Sequence, residues 1–129
     1  MYDDSYKEIE IHNKRYYGQH MILSAVGCND NIFSCDVFTN FLKTLVPEID
    51  MVPHKEPIVE RFGPSEDLMG ITAIQMIQTS AIVIHTNDKA RELYLDVFSC
   101  KAFDEDTILN KIDNYFSPEN KSHFTFFRK

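Results

Sequence analysis

The sequence predicts an α+β fold, a two-layer sandwich of an antiparallel sheet with helices on one face. Three observations predict it. Two segments, 35–46 and 104–116, place apolar residues at helical spacing. The other apolar segments are short, rich in β-branched residues and bounded by turn signals. Their order along the chain is βαββ–βαβ, which segregates the helices to one side of a sheet.

Residues 6–12, YKEIEIH, alternate and read as an edge strand or arm. His20–Cys28 is an apolar run closed by the turn signal Asn29-Asp30-Asn31, so it reads as a buried strand. In 35–46, Val37, Phe38, Phe41, Leu42, Leu45 and Val46 form one stripe, with Asp36, Asn40 and Lys43 on the other face. Ser34 is the expected N-cap of that helix and Pro47 follows it. Residues 49–62 read as extended, and Gly63-Pro64-Ser65 breaks the pattern. The run 70–86 is too long for one ordinary strand, and a bend at Gln78-Thr79-Ser80 divides it into two. A strand over 94–100 follows. Ile108, Ile112 and Tyr115/Phe116 mark the second helix, closed by Pro118, and SHFTFF forms the last strand.

The 129 residues fit one domain, 1–129, with 43% hydrophobic residues to build its core. Net charge is −7 and no Lys/Arg stripe interrupts it, which disfavours nucleic acid as a partner. No apolar window is long enough to span a membrane, and the N-terminus is too polar for a signal peptide. Three cysteines do not make a disulfide framework, so reduced thiols and a cytoplasmic location are expected. Cys28 and Cys35 lack metal partners at recognised spacing, and no metal site is expected.

Polar residues recur inside the apolar strands: Thr72, Gln75, Gln78, Thr79, Ser80, His85, Asp96 and Cys100. Alternation explains them if one sheet face is wet. A reactive site explains them equally, because buried polar groups cost energy unless bonded. Spacing alone favours alternation, since no standard triad is present.

One stretch carries a more specific pattern. Thr79-Ser80 is followed by His85-Thr86, then nine residues, then Asp96-Val97-Phe98-Ser99-Cys100. This resembles the core of the small, prokaryote-type S-adenosylmethionine decarboxylases, where Glu-Ser precedes His-Thr and a D-V-F-T-C segment. Gly70-Ile71-Thr72 is similar to the family's Gly-Val-Ser, Arg61-Phe62 before Pro64 to a basic-Phe-x-Pro segment, and Gly18-Gln19-His20 to its opening Gly-x-His. The likeness runs in outline over 17–116 and is specific over 70–100.

The resemblance implies a chain that makes its own cofactor. Ser80 would attack the Thr79 carbonyl in an N→O acyl shift, and β-elimination would divide the chain into 1–79 and 80–129. The second fragment would carry a pyruvoyl group, a ketone that forms a Schiff base with S-adenosylmethionine and acts as an electron sink. Thr72 and His85 would assist processing, and Cys100 would return a proton to the substrate carbon. Phe62 would stack on adenine. The product would feed polyamine (spermidine) synthesis, and the family implies a homo-oligomer, at least a dimer, with two protomers building each site. Taken alone, His85 reads as a bonded core histidine, Cys100 as a small buried hydrophobe and Phe62 as core packing.

The chain departs from the family pattern at definite places. Thr79 stands where the family has glutamate, and Thr72 where it has serine. Lys89 occupies the position of the glutamate that holds the ribose, and Asp88 beside it is the carboxylate that would substitute. Two further readings follow: a pyruvoyl decarboxylase of another amino acid, or an unprocessed homologue that binds an adenosyl ligand or serves as a partner subunit.

Overall fold

The computed structural model describes residues 3–129. A small hairpin, β1 (Ile9–Ile11) and β2 (Lys14–Tyr16), precedes β3 (Gly18–Val26). The first helix, α1, is Cys35–Glu48. Strands β4 (Ile58–Phe62), β5 (Gly70–Ile77), β6 (Ser80–Asn87) and β7 (Glu92–Ser99) follow, then α2 (Glu105–Phe116) and β8 (Asn120–Arg128). The main sheet has six strands in the order β4-β5-β6-β7-β3-β8, every pair antiparallel.

Period-two alternation sends Met21, Leu23 and Ala25 of β3, Ile82 and Ile84 of β6, and Leu93, Leu95 and Val97 of β7 to one face, all buried. The stripe of α1 (Phe38, Phe41, Leu42, Leu45) and that of α2 (Ile108, Ile112, Phe116) cover them, with Phe38 and Phe116 stacked at 5.0 Å. Both helices are therefore on one face of an antiparallel sheet, as the sequence predicts. Ser34 caps α1, its Oγ accepting from the Val37 N–H.

Three local features differ from expectation. Residues 6–12 do not form one strand: His12 and Asn13 have φ of 52° and 66°, as a two-residue hairpin turn requires, and fold β2 back on β1. Pro47 lies inside the last turn of α1, which runs on to Glu48. Within 49–62 only β4 joins the sheet as a strand. Pro53 makes an isolated bridge to Ile77, since prolines lack the N–H that a ladder needs.

Among the described residues, no helix covers the second face of the sheet. Ile22, Ile74, Met76, Val83, Tyr94, Phe124 and Phe126 stand on it, each more than a third exposed. Such an apolar surface is larger than scattered surface hydrophobics would leave.

Candidate active site

The bend expected within 70–86 is a two-residue turn. Ile77 pairs with Ser80, leaving Gln78 and Thr79 at the tip of the β5–β6 hairpin. The Gln78 N–H is held by the Val52 carbonyl at 2.9 Å. Ser80 opens β6 with φ 158° and pairs with Ser99 of β7. Immediately after Ser99 the chain turns, and the Cys100 N–H donates to the Thr79 carbonyl at 2.9 Å. That carbonyl belongs to the peptide bond ahead of Ser80. The hairpin tip and the end of β7 are thus brought together through the backbone of Cys100.

Side chains support the same junction. The Ser99 hydroxyl donates to Thr79 Oγ1 at 2.8 Å and accepts from the Lys101 N–H at 3.0 Å. Thr79 Oγ1 donates to the Met51 sulfur at 3.2 Å. Lys101 in turn donates to the Asp50 carboxylate at 2.9 Å and to its backbone carbonyl at 2.8 Å. The hydrogen bond from Lys101, and secondarily its charge, holds the Asp50 carboxyl below the usual carboxylate range. Next to the hairpin tip, on the open face that Ala81 rather than Ser80 shares, runs the cross-strand row Phe126, His20, Phe98 and Ala81. The His20 ring lies 4.8 Å from Phe126 and 5.5 Å from Phe98.

Thr72 and His85 form a second cluster. They are register partners on β5 and β6, and Thr72 Oγ1 lies 3.0 Å from His85 Nδ1. Behind them, Thr86 Oγ1 accepts from the Ile71 N–H at 2.8 Å, fully buried. Gly70 is needed here because a Cβ would come within 1.8 Å of the Thr86 carbonyl. Thus Gly70-Ile71-Thr72 and His85-Thr86 form one unit across two strands. His85 is five residues along β6 from Ser80, about 16 Å by strand geometry. A hydroxyl and an imidazole do not bridge that distance, so one chain does not bring these clusters together.

Phe62 and Asp88 flank the start of β5, where the Asp88 N–H donates to the Met69 carbonyl at 2.9 Å. Phe62 pairs with Gly70 and is 55% exposed on the side opposite its neighbour Arg61. Arg61 reaches Asp88, donating through both Nε (3.1 Å) and a terminal nitrogen to Oδ2. The other oxygen, Oδ1, is buried with no hydrogen-bond partner among the described residues. Arg61 and Asp88 line a cavity of about 650 Å³ with Phe33, Glu66, Met69 and Lys89. Lys89 itself pairs with Asp67 at 2.5 Å, both exposed.

The comparisons agree with this architecture. The family model for S-adenosylmethionine decarboxylase matches residues 19–129. This chain belongs to that family. The fold is similar to the crystal structure of the adenosylmethionine decarboxylase from Aquifex aeolicus VF5. The TM-score is 0.74 at 19% identity, over 89% of this chain and 92% of that one. No curated protein sequence matches it.

Of the residues that the decarboxylase resemblance marks, the fold joins Thr79, Ser80 and Cys100 at one end of the hairpin and Thr72 with His85 at the other. Ser99 and Met51 escaped the sequence reading, although Ser99 sits in the segment that carries the resemblance. Its signal was available: an odd-numbered serine beside Leu93, Leu95 and Val97 shares their buried face. The cysteines also separate. Burial, partly opposed by Arg91, pushes the Cys28 thiol up to about 11, which makes it inert at neutral pH. Among the described residues, no group of His, Cys, Asp and Glu is arranged to hold a metal ion. Nor is any helix among them long and apolar enough to cross a membrane.

Proposed function

We propose that this chain is a pyruvoyl-dependent S-adenosylmethionine decarboxylase. It matures by cleaving its own Thr79–Ser80 bond into 1–79 and 80–129, and it acts in polyamine (spermidine) synthesis in the cytoplasm. The observation that carries the reading is the hydrogen bond from the Cys100 N–H to the Thr79 carbonyl, on a turn that presents Ser80. An N→O acyl shift places negative charge on that oxygen, and a donor fixed there in advance stabilises it. Ser80 is the nucleophile. The residues at the hairpin tip fit a self-derived pyruvoyl group, which supplies a ketone that accepts electrons as the substrate carboxylate leaves.

The remaining groups fit a site shared between two copies, each a single domain. Thr72 supplies a hydroxyl to the tetrahedral oxygen, and His85 takes the Ser80 α-proton during elimination. Both lie about 16 Å from their own Ser80 by strand geometry. A two-fold axis through the open apolar face sets the Ser80 end of one sheet over the Thr72–His85 end of the other. The same contact covers Ile22, Ile74, Met76, Val83 and Phe124. Cys100 returns a proton to the substrate carbon, Phe62 stacks on adenine, and Asp88 accepts from the ribose hydroxyls.

One observation favours a second reading. Asp88 spends one oxygen on Arg61, and Lys89 is tied to Asp67. A pyruvoyl decarboxylase of a different amino acid needs no ribose carboxylate. Carbon dioxide release from S-adenosylmethionine against other amino acids separates the two. The primary test is intact mass under denaturing conditions. Fragments 1–79 and 80–129 are expected alongside uncut chain, because Thr79 lacks the charge of the family glutamate. Protein that shows only the uncut mass after prolonged incubation, with or without substrate, refutes the pyruvoyl mechanism and leaves an unprocessed homologue.

A further inference from the structure

We infer that Ser99 is a positioning residue for chain cleavage, fixing the Thr79 carbonyl in the geometry that Ser80 attacks. The inference rests on reading Thr79–Ser80 as the scissile bond and extends it to a residue with no assigned role. Ser99 is fully buried, yet it carries a hydroxyl on the face of β7 otherwise filled by Leu93, Leu95 and Val97. A buried hydroxyl is costly unless satisfied, and this one is satisfied in two directions. Its proton goes to Thr79 Oγ1 at 2.8 Å, and its lone pair takes the Lys101 N–H at 3.0 Å.

Those two bonds grip both partners of the contact that matters. The first orients Thr79, the residue that owns the carbonyl. Thr79 Oγ1 passes its own proton to Met51 at 3.2 Å, which leaves the side chain held on two sides. The second bond shapes the turn over Ser99–Lys101, and that turn aims the Cys100 N–H at the Thr79 carbonyl. A fully satisfied buried network holds one arrangement. The chain from Lys101 N–H through Ser99 and Thr79 to Met51 does so without an anionic side chain, where the family carries a glutamate.

In the acyl shift that precedes cleavage, Ser80 Oγ forms a bond to the Thr79 carbonyl carbon and the Thr79–Ser80 C–N bond breaks. The two parts stay joined by an ester, which β-elimination then cuts at the Ser80 Cβ–Oγ bond, with the carboxylate leaving on Thr79. The hydroxyl proton ends on the freed Ser80 nitrogen. During the shift the charge sits on the carbonyl oxygen that Cys100 N–H faces. The Ser99 hydroxyl makes its hydrogen bonds to Thr79 Oγ1 and the Lys101 N–H, not to the Thr79 carbonyl or the Ser80 hydroxyl. Its effect passes through Thr79 and Cys100, and a misplacement of about 1 Å is enough to slow such a step by on the order of 100-fold.

The test measures self-cleavage by intact mass in Ser99→Ala, Ser99→Thr and Thr79→Val. It also measures amide exchange at Cys100 in chains kept whole by Ser80→Ala. Ser99→Ala and Thr79→Val should cut roughly 10–100-fold more slowly, and Ser99→Thr should recover most of the parental rate. In the Ser80→Ala background, adding Ser99→Ala should speed Cys100 amide exchange about 10-fold or more, with Leu23 and Ile84 unchanged. If the parent cuts and both Ser99→Ala and Thr79→Val cut equally fast, this inference falls alone. If the parent never cuts, the scissile-bond reading falls and this inference with it.

Discussion

Chains carrying Ser80→Ala and chains carrying His85→Ala should each fail alone and work together. Ser80 and His85 lie on one strand, five residues apart, so their separation is about 16 Å with side chains on opposite faces, and no rotamer change closes it. If processing at Ser80 needs an imidazole, that imidazole comes from a second copy. Ser80→Ala removes the nucleophile but keeps His85, and His85→Ala does the reverse. Co-expression in equal amounts makes about half of the dimers mixed, and each mixed dimer has one site with both residues. About a quarter of all chains should therefore cut, every cut chain carrying His85→Ala. Mass spectrometry of the denatured mixture reads this directly, because the two substitutions label the chains. Decarboxylation should recover to about a quarter of the parental level in the same sample. Cleavage no greater than the sum of the two separate variants would refute the shared site, as would a monomer by light scattering at micromolar concentration.

Other outcomes follow from single contacts. Cys100→Ala should cut turnover sharply with substrate-analogue binding nearly intact, the signature of an interaction made only in the transition state; equal turnover would reduce Cys100 to a packed thiol. Thr86→Val keeps the volume but orphans the buried Ile71 N–H, so it should cost about 1–3 kcal/mol and lower Tm by several degrees in a thermal melt. The Asp50–Lys101 tie has a depressed carboxyl, so its contribution is complete above about pH 4 and is lost as pH falls through the folded value. Carboxyl titration followed by NMR should show Asp50 returning toward the ordinary value in Lys101→Met, and an unchanged midpoint would refute the tie.

Much of the fold is legible in residue spacing. The stripe at Val37, Phe38, Phe41, Leu42 and Leu45 specifies a helix with one apolar face, and Ser34 marks where it starts. Strands β5 and β6 announce themselves by β-branched residues, and their length forces the turn at Gln78-Thr79. The candidate site residues were legible only as a pattern of types along 70–100. Alternation could say that Ser80, His85 and Cys100 were polar groups within apolar strands, but not which of them meet.

The sequence by itself determined the elements, the apolar faces and the residue types at the hairpin tip, because each depends on neighbours a few positions away. Only the tertiary structure decided the register: Ser80 beside Ser99, Thr72 beside His85, and Cys100 N–H on the Thr79 carbonyl. Register joins residues far apart in the chain, and a slip of one position would turn every side chain of a strand to the other face. Burial of one face against both helices fixes it. That choice separates the two halves of the candidate site and leaves the second face of the sheet uncovered.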